Sequence, residues 1–199
     1  YKMFIDGSWV ESESKKTFET LNPENNEPWA KIPEASTKDV DKAVRAAQKA
    51  FEGEWPKLFP KERAKYLKAI ANQLRENAEH LGKIETIDTG KLYKETKMQA
   101  NYIAEYYDYY AGLADKVEGT VLPIDKPNMQ VITTRVPIGV VAAIIPWNSQ
   151  MLLTAVKLAP ALAMGNTIVI KSSELAPATL FEFGKLIEKT GITKGVVNI

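Results

Sequence analysis

Cysteine is missing from this chain of 199 residues, and histidine occurs only once. Without a thiol, the chain can form no disulfide, no thiolate metal site and no cysteine nucleophile of its own. A single histidine, His80, cannot build a multi-histidine zinc site or a conventional Ser-His-Asp arrangement. These absences exclude several classes of metalloprotein and hydrolase, and we expect no bound metal.

Neither sign of charge dominates, because 26 Lys and Arg residues stand against 25 Asp and Glu residues, for a net charge of +1. That balance leaves no basic surface of the kind that binds nucleic acid. The longest strongly apolar run, residues 136–145, is too short to cross a bilayer. The first residues show no signal-peptide pattern. We therefore expect a cytoplasmic protein that binds neither nucleic acid nor membrane.

Residues 1–116 are predicted to contain short strands followed by helices. Asp6-Gly7 is typical of a hairpin bend, and Ser36 is typical of a helix N-cap. The apolar stripe of the first helix is predicted to be Val40, Ala43, Val44, Ala47 and Phe51. Two more helices are predicted over residues 60–87 and 94–113. The last of these carries a group of tyrosines, for which the helical spacing favours packing over ligand binding: Tyr102, Tyr106, Tyr107, Tyr109 and Tyr110.

Residues 117–136 predict a two-stranded β-ribbon, which has too little core to stand alone and should pack on a partner. Residues 137–199 then alternate strands and helices in the order β-α-β-α-β. That order is typical of half of a doubly wound parallel sheet with right-handed crossovers. Its first strand, over residues 140–145, is continuously apolar and is predicted to be buried on both faces. The fold class is therefore α/β, with an incomplete Rossmann-like sheet and a protruding ribbon.

Ligands of open α/β sheets bind at the carboxyl ends of the strands. Two segments should occupy those ends here, residues 146–149 and residues 171–174. The usual dinucleotide fingerprint, G-x-G-x-x-G, is absent from the chain. Topology and composition alone therefore leave cofactor binding open.

Several linked motifs resemble those of the aldehyde dehydrogenase superfamily. Residues 137–148 resemble its P-x-G-V-x-x-x-I-x-P-W-N signature, and residues 157–166 resemble K-x-A-P-A-L-A-x-G-N. Residues 171–174 resemble K-P-[SA]-E, with Ser172 in place of the usual proline. Asn22-Pro23 and residues 88–91 and 110–112 also fit the family in order. The resemblance covers the whole chain and implies an aldehyde dehydrogenase-like fold, of which this is the N-terminal, cofactor-binding portion without the catalytic domain.

The resemblance implies catalytic roles for two residues. Asn148 would donate its side-chain amide to the oxyanion of the reacting aldehyde, and Lys157 would support a proton relay. From the residues alone, Asn148 is more readily explained as a helix cap. The alternative for Lys157 is a lysine whose ammonium reaches water or a carboxylate, and the functional role is slightly favoured over it.

The resemblance also implies which residues contact the cofactor. Lys171 and Glu174 would hold the adenosine ribose, and a carboxylate there favours NAD over NADP, because it repels a 2′-phosphate. Ser173 is a weaker candidate, since NADP-using relatives also use small polar residues nearby. The remaining cofactor contacts would come from the end of the first strand: Ile144, Ile145, Pro146, Trp147 and Asn148. From the residues alone, Trp147 is more readily a core residue, and Lys171 and Glu174 a solvated pair of little energetic value.

The implied activity is NAD(P)-dependent oxidation of an aldehyde to a carboxylic acid through a cysteine thiohemiacetal. Since the chain has no cysteine, we expect the nucleophile and the water-activating glutamate to lie beyond these residues. Two alternatives remain: a truncated, non-catalytic homologue that binds cofactor or assists assembly, and a relative that reduces acyl phosphates or forms acyl-CoA. The resemblance further implies a homodimer or homotetramer formed through the 117–136 ribbon.

Overall fold

A computed structural model describes all residues from Tyr1 to Ile199. The strands are β1 (Met3–Ile5), β2 (Ser8–Val10), β3 (Thr17–Asn22), β4 (Glu27–Pro33), β5 (Val121–Leu122), β6 (Val131–Ile132), β7 (Val140–Ile144), β8 (Thr167–Lys171) and β9 (Val197–Asn198). The α-helices are α1 (Thr37–Glu52), α2 (Pro60–Glu76), α3 (Ala78–Thr89), α4 (Tyr93–Leu113), α5 (Gln150–Ala163) and α6 (Ala178–Lys189). Short 3₁₀ turns cover Trp55–Lys57 and Trp147–Ser149. None of the helices has both the length and the apolar character of a membrane span.

The last third forms a three-stranded parallel sheet in the order β7-β8-β9, which confirms the predicted β-α-β-α-β unit. Side chains alternate across the central strand β8. Ile168 and Ile170 point into the main core together with Leu158 of α5, whereas Val169 packs against a small cluster that includes Ala43 and Ala46 of α1. Helices α1 and α5 therefore cover opposite faces of the sheet.

The prediction that β7 is buried on both faces is wrong. Ala143 and Ile145 are 1% and 2% exposed, but Ile144 is 73% exposed and Ala142 is also exposed. Ala142 and Ile144 point to the α1 face, because Ala142 lies beside Val169 in the parallel register. Helix α1 leaves the carboxyl end of this face uncovered, so the continuous apolar run has one buried and one accessible side.

Helix α1 begins at the predicted N-cap, Ser36, which forms a capping box with Asp39. The predicted apolar stripe is only partly correct, since Val40 and Val44 are 51% and 41% exposed. Alanines form the buried side instead: Ala43, Ala46, Ala47 and Ala50. Small side chains let the helix lie close to the sheet. At Gly195 (φ +78°) a β-carbon would come within 2.5 Å of the Ala46 carbonyl oxygen.

The single helix predicted over residues 60–87 is in fact two helices, α2 and α3, that meet at Asn77. The backbone of Asn77 departs from helical geometry, with φ −111° and ψ 14°. Its side-chain amide donates to the Gln73 carbonyl at 2.8 Å, and that carbonyl also accepts from the Asn77 backbone amide at 3.1 Å. The helix predicted to end at residue 87 continues to Thr89, where Gly90 stops it in a left-handed conformation with φ 75°.

Helix α4 packs against α2, α3 and α5. Of its tyrosines, Tyr107 is fully buried against Phe183, with ring centroids 6.3 Å apart. Tyr102 and Tyr109 are 56% and 61% exposed, so the predicted packing of the tyrosine group holds for only part of it.

The two predicted β-hairpins, one at the N-terminus and one in residues 117–136, are both present. The β1-β2 bend is Asp6-Gly7, with φ values of 52° and 69°, as expected for the sequence. In the 117–136 segment, however, only Val121–Leu122 pairs with Val131–Ile132, so its strands are shorter than predicted.

Candidate functional site

The two predicted site segments lie side by side at the carboxyl edge of the sheet. Ile144 at the end of β7 is the parallel partner of Lys171 at the end of β8. One residue further, the Ile145 amide donates to the Lys171 carbonyl at 3.0 Å. The structure therefore brings the 146–149 turn next to the 171–174 loop, at the position where open α/β sheets bind their ligands.

Asn148 lies in the 3₁₀ turn between β7 and α5, and its side chain is exposed. It caps neither helix, because the N-cap positions belong to Pro146 and Ser149. The explanation of Asn148 as a helix cap is therefore wrong. Its amide makes no hydrogen bond within the chain, which leaves both N–H donors available to a ligand.

Apolar side chains surround the turn on its open side. Trp147 is 50% exposed, so its explanation as a core residue is also wrong. Ile144 and Leu175 are 73% and 64% exposed, and Pro146 is exposed as well. Ile145 is different, because it is 2% exposed and packs in the core. The sheet edge thus presents an accessible apolar surface. Exposed apolar surfaces of this type commonly bind a ligand or another protein segment.

Lys171 and Glu174 form an exposed ion pair beside this surface, with the ammonium 2.8 Å from the carboxylate. The hydrogen bond from Lys171 holds the pKa of the Glu174 carboxyl below its usual value, so the carboxylate is ionised at neutral pH. Such exposed pairs contribute little to stability. Ser173 is 7% exposed, and its hydroxyl accepts from the Leu175 amide at 3.2 Å, which shapes the loop.

Lys157 lies on α5 and is half-buried. Its ammonium donates to the Leu153 carbonyl, one helical turn back, at 3.2 Å. It pairs with no carboxylate and makes no hydrogen bond to Asn148. The structure therefore places Lys157 on the helix that follows the turn, without joining the two predicted catalytic residues directly.

Gln150 is a residue that the sequence alone did not single out. It is 1% exposed, although it is polar and begins α5. Its Oε1 accepts from the Ser172 hydroxyl at 2.8 Å, and its Nε2 donates to the Ala176 carbonyl. Gln150 therefore ties the segment after β7 to the loop after β8. The only signal in the sequence is a lone amide at the start of an otherwise apolar helix.

Lys91 was noted in sequence only as part of a family motif. Its ammonium donates to the Ser149 hydroxyl at 2.6 Å and lies 3.2 Å from the Glu85 carboxylate. Glu85 is fully buried, and this burial raises the pKa of its carboxyl although Lys91 acts in the opposite direction. The Gln99 side-chain amide lies 3.4 Å from the Ser149 hydroxyl. A partly buried polar cluster, in which only Glu85 is fully enclosed, thus adjoins the Asn148 turn: Glu85, Lys91, Gln99 and Ser149.

Comparison with known proteins gives the family. Residues 9–199 match the sequence model of the Aldehyde dehydrogenase family. The chain belongs to this family. It is 50% identical over its whole length to (Z)-2-((N-methylformamido)methylene)-5-hydroxybutyrolactone dehydrogenase of Acinetobacter baylyi, of which it covers 41%. It is 42% identical over 99% of its length to betaine aldehyde dehydrogenase of Bacillus subtilis, of which it covers 40%.

Solved structures agree with the family assignment. A point mutant of betaine aldehyde dehydrogenase of Staphylococcus aureus, crystallised in complex with NAD⁺, superposes with a TM-score of 0.95 at 39% identity, over 99% of this chain and 40% of that one. The aldehyde dehydrogenase fold predicted from the motifs is therefore confirmed. The chain spans about two-fifths of the length of these relatives.

Proposed function

We propose that this chain is the cofactor-binding portion of an NAD(P)-dependent aldehyde dehydrogenase that oxidises an aldehyde to a carboxylic acid. Family membership supports this reaction class. The observation that carries the proposal is the free amide of Asn148, which sits on a 3₁₀ turn at the carboxyl edge of the sheet. A ligand at this edge would meet an amide donor, an apolar surface and an ionised carboxylate together.

The exposed groups at this edge fit a dinucleotide. Trp147 and Ile144 offer apolar surface to a planar ring, and the Glu174 carboxylate can accept hydrogen bonds from two ribose hydroxyls. The same negative charge disfavours a 2′-phosphate, so we propose NAD in preference to NADP. Lys171 orients Glu174 through their 2.8 Å contact. Ser173, Ile145 and Pro146 would complete the site by shaping the loop and the strand end. The cofactor would supply the hydride acceptor.

Asn148 would act as an oxyanion donor. When a thiolate adds to an aldehyde, negative charge develops on the former carbonyl oxygen, and a fixed amide N–H stabilises that charge without transferring a proton. Loss of one such donor costs about 3 kcal/mol of transition-state stabilisation. The thiolate must come from residues beyond this chain, because the chain contains no cysteine.

Lys157 would assist proton transfer from the helix behind the turn. One of its three N–H donors is used by the Leu153 carbonyl, which leaves two for water or another polar group. The half-buried position keeps the ammonium near the protein interior. Its contribution is therefore proposed as a supporting one.

We also propose a domain organisation for the chain. Residues 1–116 and 137–199 would form the cofactor-binding domain, and the 117–136 segment would pair with a second subunit in a homodimer or homotetramer. Val121 and Ile132 support this proposal, because they are 61% and 59% exposed on strands that have no core of their own. Light scattering of the purified protein tests it, and a monomer at micromolar concentration would contradict it.

The central test is an assay of the full-length protein with NAD and with short, branched and aromatic aldehydes. We expect reduction of the cofactor by at least one class, and Asn148→Ala should lower kcat by about 10²–10³-fold. Asn25→Ala, in the remote β3-β4 turn, is the matched control and should leave kcat unchanged. Failure of every aldehyde would refute the activity. An Asn148→Ala variant as active as the wild type would refute the role of the amide.

A further inference from the structure

The direction of the Asn148 amide depends on its backbone turn, since no hydrogen bond holds the side chain itself. On the N-terminal side, the Ile145 amide is fixed to the Lys171 carbonyl at 3.0 Å. On the C-terminal side, the neighbouring residue is Ser149, whose hydroxyl receives the Lys91 ammonium at 2.6 Å. Two side chains contact this hydroxyl, and the Lys91 bond is much the shorter, since the Gln99 amide lies 3.4 Å away; the Lys91 bond reaches the turn from a segment 58 residues away.

Lys91 is itself held in place by the backbone that carries it. Gly90 turns the chain sharply after α3 with φ 75°, and a β-carbon there would meet Pro23 at 3.3 Å. The Lys91 amide then lies 3.4 Å from the Thr89 hydroxyl. This compact turn directs the lysine side chain back over α3 and toward the start of α5.

The Glu85 carboxylate gives Lys91 a second constraint. Glu85 is 0% exposed, and its Oε2 has no hydrogen-bond partner. Lys91 is the only cation paired with this carboxylate. Removing the ammonium would leave a buried carboxylate without compensation, which is strongly unfavourable. The lysine therefore cannot move freely into solvent, although 27% of its side chain is exposed. A fixed ammonium in turn fixes the Ser149 hydroxyl.

We propose that Lys91 is a positioning residue that, through Ser149, holds the 147–149 turn so that the Asn148 amide points at the reacting oxygen. This inference rests on the proposed function of Asn148. Glu85 serves as the anchor that keeps the ammonium at the turn. Lys91 touches neither the aldehyde nor the cofactor in this scheme, so its effect on the reaction passes entirely through Asn148.

A purely structural role makes a different prediction. If the cluster merely joins α3 to α5, replacing its members would lower stability, and any loss of activity would be independent of Asn148. If Lys91 acts through Asn148, its effect on kcat disappears once the amide is gone. A double-mutant cycle separates the two, because residues that act as a unit give non-additive losses.

The experiment uses the full-length enzyme and three variants, each alone and with Asn148→Ala. Ser149→Ala removes the Lys91 bond to the turn, together with the long Gln99 contact, and leaves the Glu85–Lys91 pair intact. Lys91→Met removes the ammonium, and Lys91→Met with Glu85→Gln does so without stranding a buried charge. Lys97→Met is the matched control, because it also removes a lysine that pairs with a glutamate of α3. The Lys97 ammonium lies 2.6 Å from the Glu79 carboxylate and does not contact Ser149.

We expect Ser149→Ala and the double variant to lower kcat about tenfold, because misplacement of a catalytic group by about 1 Å can cost about 10²-fold and a loosened turn should displace the amide by less than that. The Kd for NAD, measured by protein fluorescence, should stay within twofold of wild type. Neither variant should lower kcat further when Asn148 is already alanine. Lys97→Met should keep wild-type kcat.

The outcomes separate the two proposals. Wild-type kcat in Ser149→Ala, or losses that multiply with that of Asn148→Ala, would overturn the positioning role and leave the proposed function intact. An active enzyme whose kcat is insensitive to Asn148→Ala would instead refute the proposed role of the amide. Should Lys91→Met fail to fold, Ser149→Ala decides the question alone, because it leaves no buried charge unpaired.

Discussion

Replacing Gln150 with leucine tests whether the two loops at the sheet edge are joined in the way the structure shows. Gln150 is buried and begins α5, and leucine has a similar volume, so the change removes hydrogen bonds without opening a large cavity. Two contacts are lost, one with the Ser172 hydroxyl at 2.8 Å and one with the Ala176 carbonyl. The variant therefore isolates the polar link between the segments.

The two lost contacts differ in cost. Ala176 is fully buried, so its carbonyl would be left without a partner, at a cost of about 1–3 kcal/mol. The Ser172 hydroxyl adds little, because the Ser173 carbonyl at 3.3 Å and the Pro177 carbonyl at 3.5 Å can accept from it instead. We therefore expect Gln150→Leu to lower the free energy of unfolding by about 2 kcal/mol.

Urea denaturation followed by circular dichroism measures this change, with Ser172→Ala as the control. Ser172→Ala keeps the Ala176 contact but strands the buried side-chain oxygen of Gln150, so it should itself cost about 1–3 kcal/mol. We also expect Gln150→Leu to raise the Kd for NAD several-fold, because the 171–174 loop loses its tie to α5. A Gln150→Leu variant as stable as wild type would show that the Ala176 contact does not hold the loop, and the reasoning would fail.

Three further predictions concern stability. Ser36→Ala removes the hydroxyl that accepts from the Asp39 amide at 3.3 Å, and it should lower the free energy of unfolding in urea by about 1 kcal/mol; an unchanged midpoint would contradict the capping role. Tyr107→Phe removes a buried hydroxyl without a partner, so the thermal midpoint should stay the same or rise, and a clear fall would show that the hydroxyl is bonded. Burial raises the pKa of Glu85 above 4.5, so its contribution to stability is present below that pH and is lost as the pH rises through the folded-state pKa. Glu85→Gln should remove this dependence, and parallel stability–pH curves for variant and wild type would refute it.

The parts of the fold that depend on local patterns were predictable. Apolar runs of strand length, separated by helix-length segments, predicted the β-α-β-α-β order of the parallel sheet, and Ser36 marked the start of a helix. The break at Asn77 was not predictable, because the apolar pattern continues through it while the backbone of Asn77 leaves helical geometry. Periodicity reports which face is apolar, not where the backbone ladder is interrupted.

Burial was predicted less well than secondary structure, and for a physical reason. An apolar run such as β7 indicates a strand that can be buried on both faces, but which faces are covered depends on the helices that pack there. Helix α1 comes from a distant part of the chain and leaves Ile144 73% exposed. Likewise, the alanines of α1 face the sheet in place of Val40 and Val44, because close approach to Gly195 favours small side chains.

The contrast between Asn148 and its neighbours explains why motifs found part of the site and missed the rest. Asn148 is exposed and makes no bond of its own, so only its place in a family motif could single it out. Gln150 and Lys91 differ from it, because their side chains form hydrogen bonds within the chain. Gln150 bonds to Ser172 and Ala176, and Lys91 bonds to Ser149. Those partners are 22 to 58 residues away in sequence, and no local pattern connects them. The Asn148 amide is therefore a free donor on a turn that two distant segments hold in place. An oxyanion site requires such an arrangement, since a preorganised amide stabilises developing charge without having to reorient during the reaction.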